Sequence, residues 1–368
     1  YVFSGFLHSS QIFGPPAIMG LPYNLVFIIF LLFMADKENI YTLMLASVVA
    51  SSTQFLIQVP AVRHQGFRYK VDADLNDVYI RKTLLLVFPV LIGSAVQQIN
   101  TIVDKTLASG LAEGSISALN YSAKLNDVVV SVFIAAITTV IFPMLSRAFA
   151  QGDNDQLKLI MSQGINIILL ITVPATIGIM ILAEPIVRIF FERGEFNASD
   201  TLMTSSALFF YSLGLVSISL RLMLNKVFYS LQDTKTPMIN GALSVGLNII
   251  LNLIFIRFMD HAGLALATSI STTFTSIMLF ISLRNKIGPI GLKRYLRCLV
   301  KTLAASLVMG VVVYFTFYGL TESYEFSKVF EMLILLLSIG LGALVYFILC
   351  LIFDIKELKI LLSGIRRK

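Results

Sequence analysis

Long apolar segments separated by short polar connections dominate the pattern of hydrophobic and polar positions along the chain. A helix needs about 20 apolar residues to cross a bilayer. It has to be a helix, because the hydrocarbon offers the backbone no hydrogen-bond partner. The pattern predicts ten complete transmembrane helices, at 17–35, 41–60, 84–103, 117–145, 160–183, 202–224, 238–259, 263–283, 299–320 and 330–353.

Residues 1–13 resemble the end of one further span. Residue 1 is Tyr, and neither a charged segment nor a small-residue cleavage site marks this stretch as a signal peptide. We therefore expect an N-terminally incomplete chain, with one partial helix before the ten complete ones.

Composition agrees with this interpretation. Of 368 residues, 57% are hydrophobic and 13% are charged, against about 25% charged in an ordinary soluble domain. This excludes a cytosolic enzyme, a disordered protein or a nucleic-acid-binding protein for the whole chain, so no nucleic acid is expected as a partner. Cys298 and Cys350 are far apart and indicate neither a disulfide framework nor a metal cluster. The predicted fold class is an all-α, polytopic membrane helix bundle.

Basic residues set the predicted orientation. Most of the 28 lysines and arginines lie in the same alternating set of connections, which the positive-inside rule places in the cytoplasm together with the C-terminus. The segment 291–301 carries four of them, Lys293, Arg294, Arg297 and Lys301, among apolar residues at helical spacing. It either lies in the membrane interface and attracts anionic lipid or only sets topology; the sequence leaves both open.

Two charged residues lie deep within the span 117–145, where charge is costly and usually marks a site. Lys124 and Asp127 are three residues apart and therefore share a helix face. They either neutralise each other as an ion pair, or Lys124 lies in a hydrated cavity as a point charge for an anionic group such as phosphate. We favour the second, with Asp127 tuning the lysine and Asn120 and Tyr121 adding polar lining.

A second polar set is distributed over three other spans. Asp104 ends the span 84–103 and is either neutralised by Lys105 or a ligand of a hard cation. Asn248 and Asn252 are stacked on one face and either join helices by hydrogen bonds or contribute to a monovalent cation site. The oxygen-rich stretch 268–273 would complete that site if Asp104 faces it.

No catalytic or nucleotide-binding motif is present in the sequence. It contains no G-x-x-x-x-G-K-[ST] stretch and no Ser/His/Asp or Cys/His set at a credible depth. The chain is therefore not expected to be an enzyme.

Several strings resemble the MurJ-type (MviN) lipid II flippases, a family of the multidrug/oligosaccharidyl-lipid/polysaccharide exporter superfamily. INTIVDKTLASGLAEGSISALNYSAKLNDVVVSVFIAAITTVIFPMLSRAFAQGD (99–153) is similar to the seventh and eighth helices of that family. FYSLQDTKTPM (228–238) and HAGLALATSIS (261–271) are similar to later parts, as are 13–28, 54–69 and 190–215. The resemblance covers essentially the whole chain, and its motifs are specific in combination but weak singly.

The resemblance implies a domain organisation with two six-helix lobes and two extra C-terminal helices. On that pattern the chain divides as follows: 1–60, the end of helix 4 and helices 5–6 of the N-terminal lobe; 61–83, a cytoplasmic linker between the lobes; 84–285, the C-terminal lobe with helices 7–12; and 286–368, the additional helices 13–14 and a basic cytoplasmic tail.

The resemblance also implies a function in peptidoglycan biosynthesis, and hence in cell wall formation and cell shape. Such a flippase moves lipid II, the undecaprenyl-pyrophosphate-linked precursor, from the inner to the outer leaflet of the bacterial cytoplasmic membrane. The implied mechanism is alternating access between the lobes, driven by the membrane potential or a cation gradient. The implied partners are lipid II and membrane lipids, and a monomer is expected.

The resemblance assigns roles to particular residues. Substrate binding falls to Lys124, Asp127, Asn120 and Lys235. No cofactor is expected apart from a sodium ion that some relatives bind. The positions of that sodium site correspond to Asp104, Asn248, Asn252, Thr268 and the backbone of Leu264. Asn252 stands where relatives may carry an Asp, which leaves Asp104 as the one anionic ligand.

Two alternatives remain at this point. A drug or polysaccharide-repeat exporter of the same superfamily is disfavoured by the last two spans, since drug exporters typically have twelve helices. A glycosyltransferase acting on polyprenyl-linked sugars is disfavoured because the predicted outer connections are too short for a catalytic domain.

Overall fold

The computed structural model describes residues 2–10, 12, 14–34, 40–67, 80, 95, 98–321 and 327–355. Every regular element in these ranges is a helix, which confirms the predicted all-α fold class. The chain forms two compact units, 1–85 and 86–368. The domain boundaries stay predictions; most of the span 84–103 and of the linker 61–83, and the tail from 356 onward, lie outside the described residues.

The first unit contains five helices: α1 (Val2–Ser9), α2 (Gly14–Ile18), α3 (Gly20–Met34), α4 (Ile40–Leu56) and α5 (Val59–His64). α3 packs against α4, and α1 packs against α5. Ser4 Oγ donates to the buried Gln58 side chain at 2.9 Å, and Phe3 stacks on Phe55 with ring centroids 5.0 Å apart. The first two predicted spans coincide with apolar helical segments long enough to cross a membrane, Gly14–Phe33 and Tyr41–His64.

The second unit contains α6 (98–109), α7 (Ser115–Val129), α8 (Ala135–Ala150), α9 (Asn154–Phe191), α10 (Ala198–Leu213), α11 (Leu215–Ser230), α12 (Lys235–Ile287), α13 (Leu292–Thr321) and α14 (Lys328–Ile352). Two predicted spans are bent pairs of helices. A π-helical turn, Val130–Ile134, joins α7 to α8 with a bend of 43°. The pair α10 and α11 bends by 46°.

α12 contains two predicted spans, 238–259 and 263–283. The helix breaks at Asp260, whose backbone has φ 49° and ψ −132°, so that α12a (235–259) and α12b (261–287) lie side by side. Ser244 Oγ accordingly donates to Ser271 O at 3.0 Å. Gly263 makes the tight turn feasible, because a Cβ there would lie 2.7 Å from the Phe255 carbonyl.

α9 is the packing centre of the second unit. It contacts α8, α10, α11, α13 and α14, and its side chains Met161 and Ile165 are almost fully buried. Gly310 lets α13 approach α9, because a Cβ there would lie 2.8 Å from Ile177 Cγ2. Small residues at helix contacts are expected in a bilayer, where packing replaces the hydrophobic effect between helices.

The outer surface of the helices is strongly apolar. Large side chains such as Phe33 (80% exposed), Phe258 (81%) and Leu296 (61%) point outward. Water would penalise such a surface, whereas lipid tails accept it. The chain is therefore a multi-pass membrane protein.

Candidate functional site

A stripe of polar side chains runs along the exposed side of α7. The opposite side packs against α10 and buries Ala118, Leu119, Ser122 and Asn126. Ser122 Oγ donates to Thr204 O of α10 at 2.7 Å, which fixes the rotation of α7. The exposed stripe, called the polar face of α7 below, consists of Ser117, Asn120, Lys124 and Asp127 of α7 and of Ser131 in the π-helical turn that follows.

The spacing of these five residues is alternately three and four, so they lie within one narrow arc of the helix. All five are exposed. A lysine, an aspartate and an asparagine on one exposed arc would be unfavourable against lipid tails. The polar face of α7 therefore has the chemistry of a surface that meets water or a polar ligand.

Lys124 and Asp127 do not form the intrahelical ion pair that was one of the two interpretations of their spacing. The ion pairs among the described residues do not include either side chain. Instead, Lys124 Nζ lies 6.0 Å from the ring centroid of Tyr121, a cation–π distance. Tyr121 is held by Phe191, whose ring centroid is 4.7 Å away. The ammonium group thus lies beside an aromatic ring and forms no ion pair with a described residue.

The residues of the predicted cation site form one connected network. Asn252 Nδ2 donates to Asp104 Oδ1 at 2.6 Å and to Asn248 Oδ1 at 3.0 Å. Asn248 Nδ2 lies 3.4 Å from Thr268 Oγ1, and Thr268 Oγ1 donates to Leu264 O at 3.0 Å. The network joins α6 to both halves of α12.

Two further residues belong to this network. Asn100 Nδ2 donates to the second carboxylate oxygen of Asp104 at 3.1 Å, and Ser271 Oγ accepts from Asn248 at 3.3 Å. With the Asn248 amide turned by 180°, its nitrogen instead reaches Asn100 Oδ1 at 2.9 Å. Asn100 was detectable in the sequence, because it lies one helical turn before Asp104 on the same face.

The network contains a carboxylate and several carbonyl-type oxygens, which are the ligands that hard cations prefer. Asn252 Oδ1 is buried and has no hydrogen-bond partner among the described residues, so it has the capacity to accept a cation. Both oxygens of Asp104, however, already accept amide hydrogens. A cation would have to displace at least one amide or turn it so that its oxygen faces inward.

Tyr211 of α10 packs against an apolar cluster that includes Leu119 of α7 and Leu264 of α12b. The sequence held no signal for this placement, because Tyr211 lies in an otherwise ordinary apolar stretch.

Lys235 lies apart from the network of Asp104. It begins α12 and is exposed, while Asn252 lies about 25 Å further along the same helix at 1.5 Å per residue. Its neighbour Asp233 accepts from Thr236 N at 3.0 Å and from Lys286 Nζ at 2.5 Å. Burial raises the pKa of Asp233, but these hydrogen bonds and the lysine charge outweigh it and lower the pKa to about 2.

Comparison with protein families matches residues 1–337 to the family described as "Lipid II flippase MurJ". The probable lipid II flippase MurJ of Vibrio cholerae is 39% identical over 227 residues, covering 62% of this chain and 43% of that protein. The corresponding protein of Haemophilus influenzae is 32% identical over 342 residues, covering 91% of this chain and 67% of that protein. The matched regions thus span between 43% and 67% of the length of these two relatives.

Among solved structures, a lipid II flippase MurJ in an inward closed conformation is similar to this chain. The TM-score is 0.74 at 28% sequence identity, over 92% of this chain and 66% of that one. The helix arrangement described above is therefore that of a known transporter fold.

Proposed function

Because the chain belongs to the lipid II flippase MurJ family, we propose that it carries the undecaprenyl-pyrophosphate-linked peptidoglycan precursor from the inner to the outer leaflet of the bacterial cytoplasmic membrane. The proposed mechanism is alternating access. A membrane potential is a sufficient drive, since moving one charge through the field is worth about 2.3 kcal/mol per 100 mV.

The observation that carries this proposal is the polar face of α7. A diphosphate cannot cross about 30 Å of hydrocarbon without a polar path, because burying an unpaired anion is very costly. Lys124 is exposed on this face and has no ion pair with a described residue. Its three N–H donors and positive charge suit a phosphate group that approaches from water.

The other residues of this face suit a polar headgroup that must also leave. Asn120 offers a donor and an acceptor to sugar hydroxyls or peptide groups. Asp127 lies one turn from Lys124, and its negative charge repels the diphosphate. We propose that this repulsion keeps the affinity moderate, so that the headgroup dissociates after the conformational change.

We assign Lys235 a separate role in the approach of the substrate. It is exposed at the predicted cytoplasmic end of α12, distant from the network of Asp104. A positive charge there would attract the diphosphate from the inner leaflet before it reaches α7.

We further propose that Na⁺ binds at the network of Asp104 and couples to transport. The ligands would be the Asp104 carboxylate, the side-chain oxygens of Asn248, Asn252 and Thr268, and the carbonyl of Leu264. The buried, unpartnered Asn252 Oδ1 supports this proposal. A single carboxylate just balances one monovalent charge, which favours Na⁺ over a divalent ion.

The test is growth of a bacterium depleted of its own lipid II flippase and supplied with the natural gene of this protein. Lys124→Ala is expected to abolish rescue, and Lys124→Arg to retain at least part of it, because the positive charge is kept. Lys158→Ala, which removes a lysine near the start of α9 away from the polar face, serves as the matched control and is expected to rescue fully.

Membrane levels of each variant are compared by immunoblot, and outer-leaflet lipid II is measured with a membrane-impermeant probe. Full rescue by Lys124→Ala at an equal protein level would remove Lys124 from the mechanism. Rescue without any lipid II appearing in the outer leaflet would instead favour an exporter of another substrate.

A further inference from the structure

A basic cavity of about 610 Å³ opens in the second unit, away from the polar face of α7. Its wall is formed by Lys293, Arg294, Arg297 and Lys301 at the beginning of α13. Asn166 of α9 and Asp354, just after α14, are among the other residues that line it. The positive-inside rule places this end of α13 at the cytoplasmic surface.

The cavity holds a strong excess of positive charge. Among the described residues that line the cavity, four are basic and one, Asp354, carries a carboxylate. Lys293, Arg297 and Lys301 are spaced four apart, so like charges are stacked along one side of the helix, which is unfavourable without an anion. An anionic ligand would relieve this repulsion.

The donors of the cavity differ in how they are held. Lys301 Nζ donates to Phe353 O at the end of α14 at 2.6 Å, so it joins α13 to α14 at the wall of the cavity. Lys293 and Arg297 are exposed, and neither forms an ion pair with any residue that the structure describes. Arg297 supplies a planar guanidinium that binds phosphate through two parallel hydrogen bonds.

An apolar stripe lies next to the basic residues on the same helix. It consists of Leu292, Leu296, Val300, Leu303 and Leu307, which are between 41% and 61% exposed. At 100° per residue this stripe and the row of Lys293, Arg297 and Lys301 occupy adjoining sides of α13. The stripe continues along α13 beyond the last basic residue. A ligand with a phosphate group in the cavity would therefore place attached hydrocarbon along the stripe.

We propose that this cavity binds the phosphodiester headgroup of an anionic membrane phospholipid, whose acyl chains lie along the apolar stripe of α13. The lipid would hold the beginning of α13, the end of α14 and α9 together from the inner leaflet. This site does not involve Lys124, so its existence does not depend on the proposed transport function.

The experiment measures lipid binding to the purified full-length protein in neutral detergent. Dioleoyl-phosphatidylglycerol is titrated against dioleoyl-phosphatidylcholine, with thermal unfolding and native mass spectrometry as the two readouts. Phosphatidylglycerol is expected to raise Tm and to give a bound lipid by mass, since a ligand that binds the folded state stabilises it. Phosphatidylcholine is expected to do neither.

The double variant Lys293→Gln/Arg297→Gln is expected to lose about tenfold or more in affinity for phosphatidylglycerol, because each basic residue near an anionic lipid contributes substantially. The matched control, Arg147→Gln/Arg284→Gln, removes two exposed positive charges outside the cavity and is expected to bind like the wild type. Lys293→Arg/Arg297→Lys keeps the charge and is expected to retain binding, which separates loss of charge from misfolding.

Two results would overturn the proposal. One is equal phosphatidylglycerol binding by the Gln double variant and its control. The other is a combination of two observations. Inorganic phosphate would raise Tm as much as phosphatidylglycerol does at the same concentration, and Leu296→Gln/Val300→Gln would bind phosphatidylglycerol as well as the wild type does. That combination would identify a site for a soluble phosphate, with no part played by the apolar stripe.

Discussion

The side-chain amide of Asn252 donates a hydrogen bond of 2.6 Å to the carboxylate of Asp104, which lies 148 positions earlier in the chain. This contact joins α12a to α6 and places an uncharged amide beside the single acidic group of the network. The identity of residue 252 therefore sets both the charge of the site and the way the two helices are held.

Replacing Asn252 by Asp is expected to make the stability of the protein depend strongly on sodium. The new carboxylate would face Asp104 at hydrogen-bond distance, where two negative charges repel. In choline chloride the variant should unfold at a lower Tm than the wild type. Added NaCl should raise the Tm of the variant by more than it raises the Tm of the wild type. Thermal unfolding in detergent, with KCl as a salt control, measures both.

Asn252→Ala is the control for loss of the amide. It is expected to lower Tm, but NaCl should raise its Tm by no more than it raises the Tm of the wild type. If NaCl raises the Tm of neither Asn252→Asp nor the wild type by more than KCl does, the network does not bind this ion.

Removing the Asp233 carboxylate is expected to flatten the acid dependence of stability. Asp233 has a pKa of about 2 in the folded protein against 3.8 for a free side chain. The folded state binds this proton less readily than the unfolded state. The charge of Asp233 therefore makes its full contribution to the free energy of unfolding above pH 3.8, and this contribution is lost as the pH falls towards 2. This contribution is about 1 to 2 kcal/mol. It is smaller than the full change in pKa would give, because Lys286 is partly exposed and solvent weakens the ion pair.

Thermal unfolding of Asp233→Asn and the wild type between pH 2 and 6 tests this. The difference in Tm between them should shrink as the pH falls from 4 to 2. A constant difference over that range would show that the charge of Asp233 contributes nothing.

Adding a methyl group at Gly342 is expected to loosen the contact between α13 and α14. A Cβ at this position would lie 2.4 Å from Val313 Cγ2, so the helices must separate or Val313 must change rotamer, at a cost of about 1 to 3 kcal/mol. Gly340, one half-turn away on the same helix, has nothing within 4 Å of its would-be Cβ. Gly340→Ala should be neutral or stabilising, because alanine favours the helix.

The comparison of Tm and yield of folded protein between the two variants isolates the packing effect. Equal behaviour of Gly342→Ala and Gly340→Ala would mean that α14 does not pack closely on α13 in the membrane.

Neutralising Glu331 is expected to weaken the attachment of α14 to α9. Arg188 Nε donates to Glu331 Oε1 at 2.9 Å, and the Glu331 side chain is only 14% exposed. Glu331→Gln should lower the free energy of unfolding by about 1 kcal/mol, because it removes a charge-assisted hydrogen bond. Glu184→Gln removes the other carboxylate near Arg188, which is 48% exposed, and should cost less than about 0.5 kcal/mol.

Denaturation of these two variants by heat in the same detergent gives the comparison. A larger loss for Glu184→Gln than for Glu331→Gln would contradict the importance of the contact between the helices.

The sequence by itself determined the class of the protein and the positions of those apolar spans that the structure describes. Transfer of a segment from water into lipid depends on the composition of that segment alone, so a local pattern suffices. The same local reasoning placed Asn120, Lys124 and Asp127 on one face of α7, because helical spacing requires no knowledge of the neighbours.

Only the tertiary structure decided which of these residues meet. It placed Tyr121, rather than Asp127, beside Lys124, and it closed a cavity around Lys293 and Arg297 with Asp354. Contacts between helices depend on where small side chains allow close approach and on the rotation of each helix, and both are settled by all neighbours at once. Asn252 and Asp104 are distant in the chain, so no local pattern specifies their hydrogen bond.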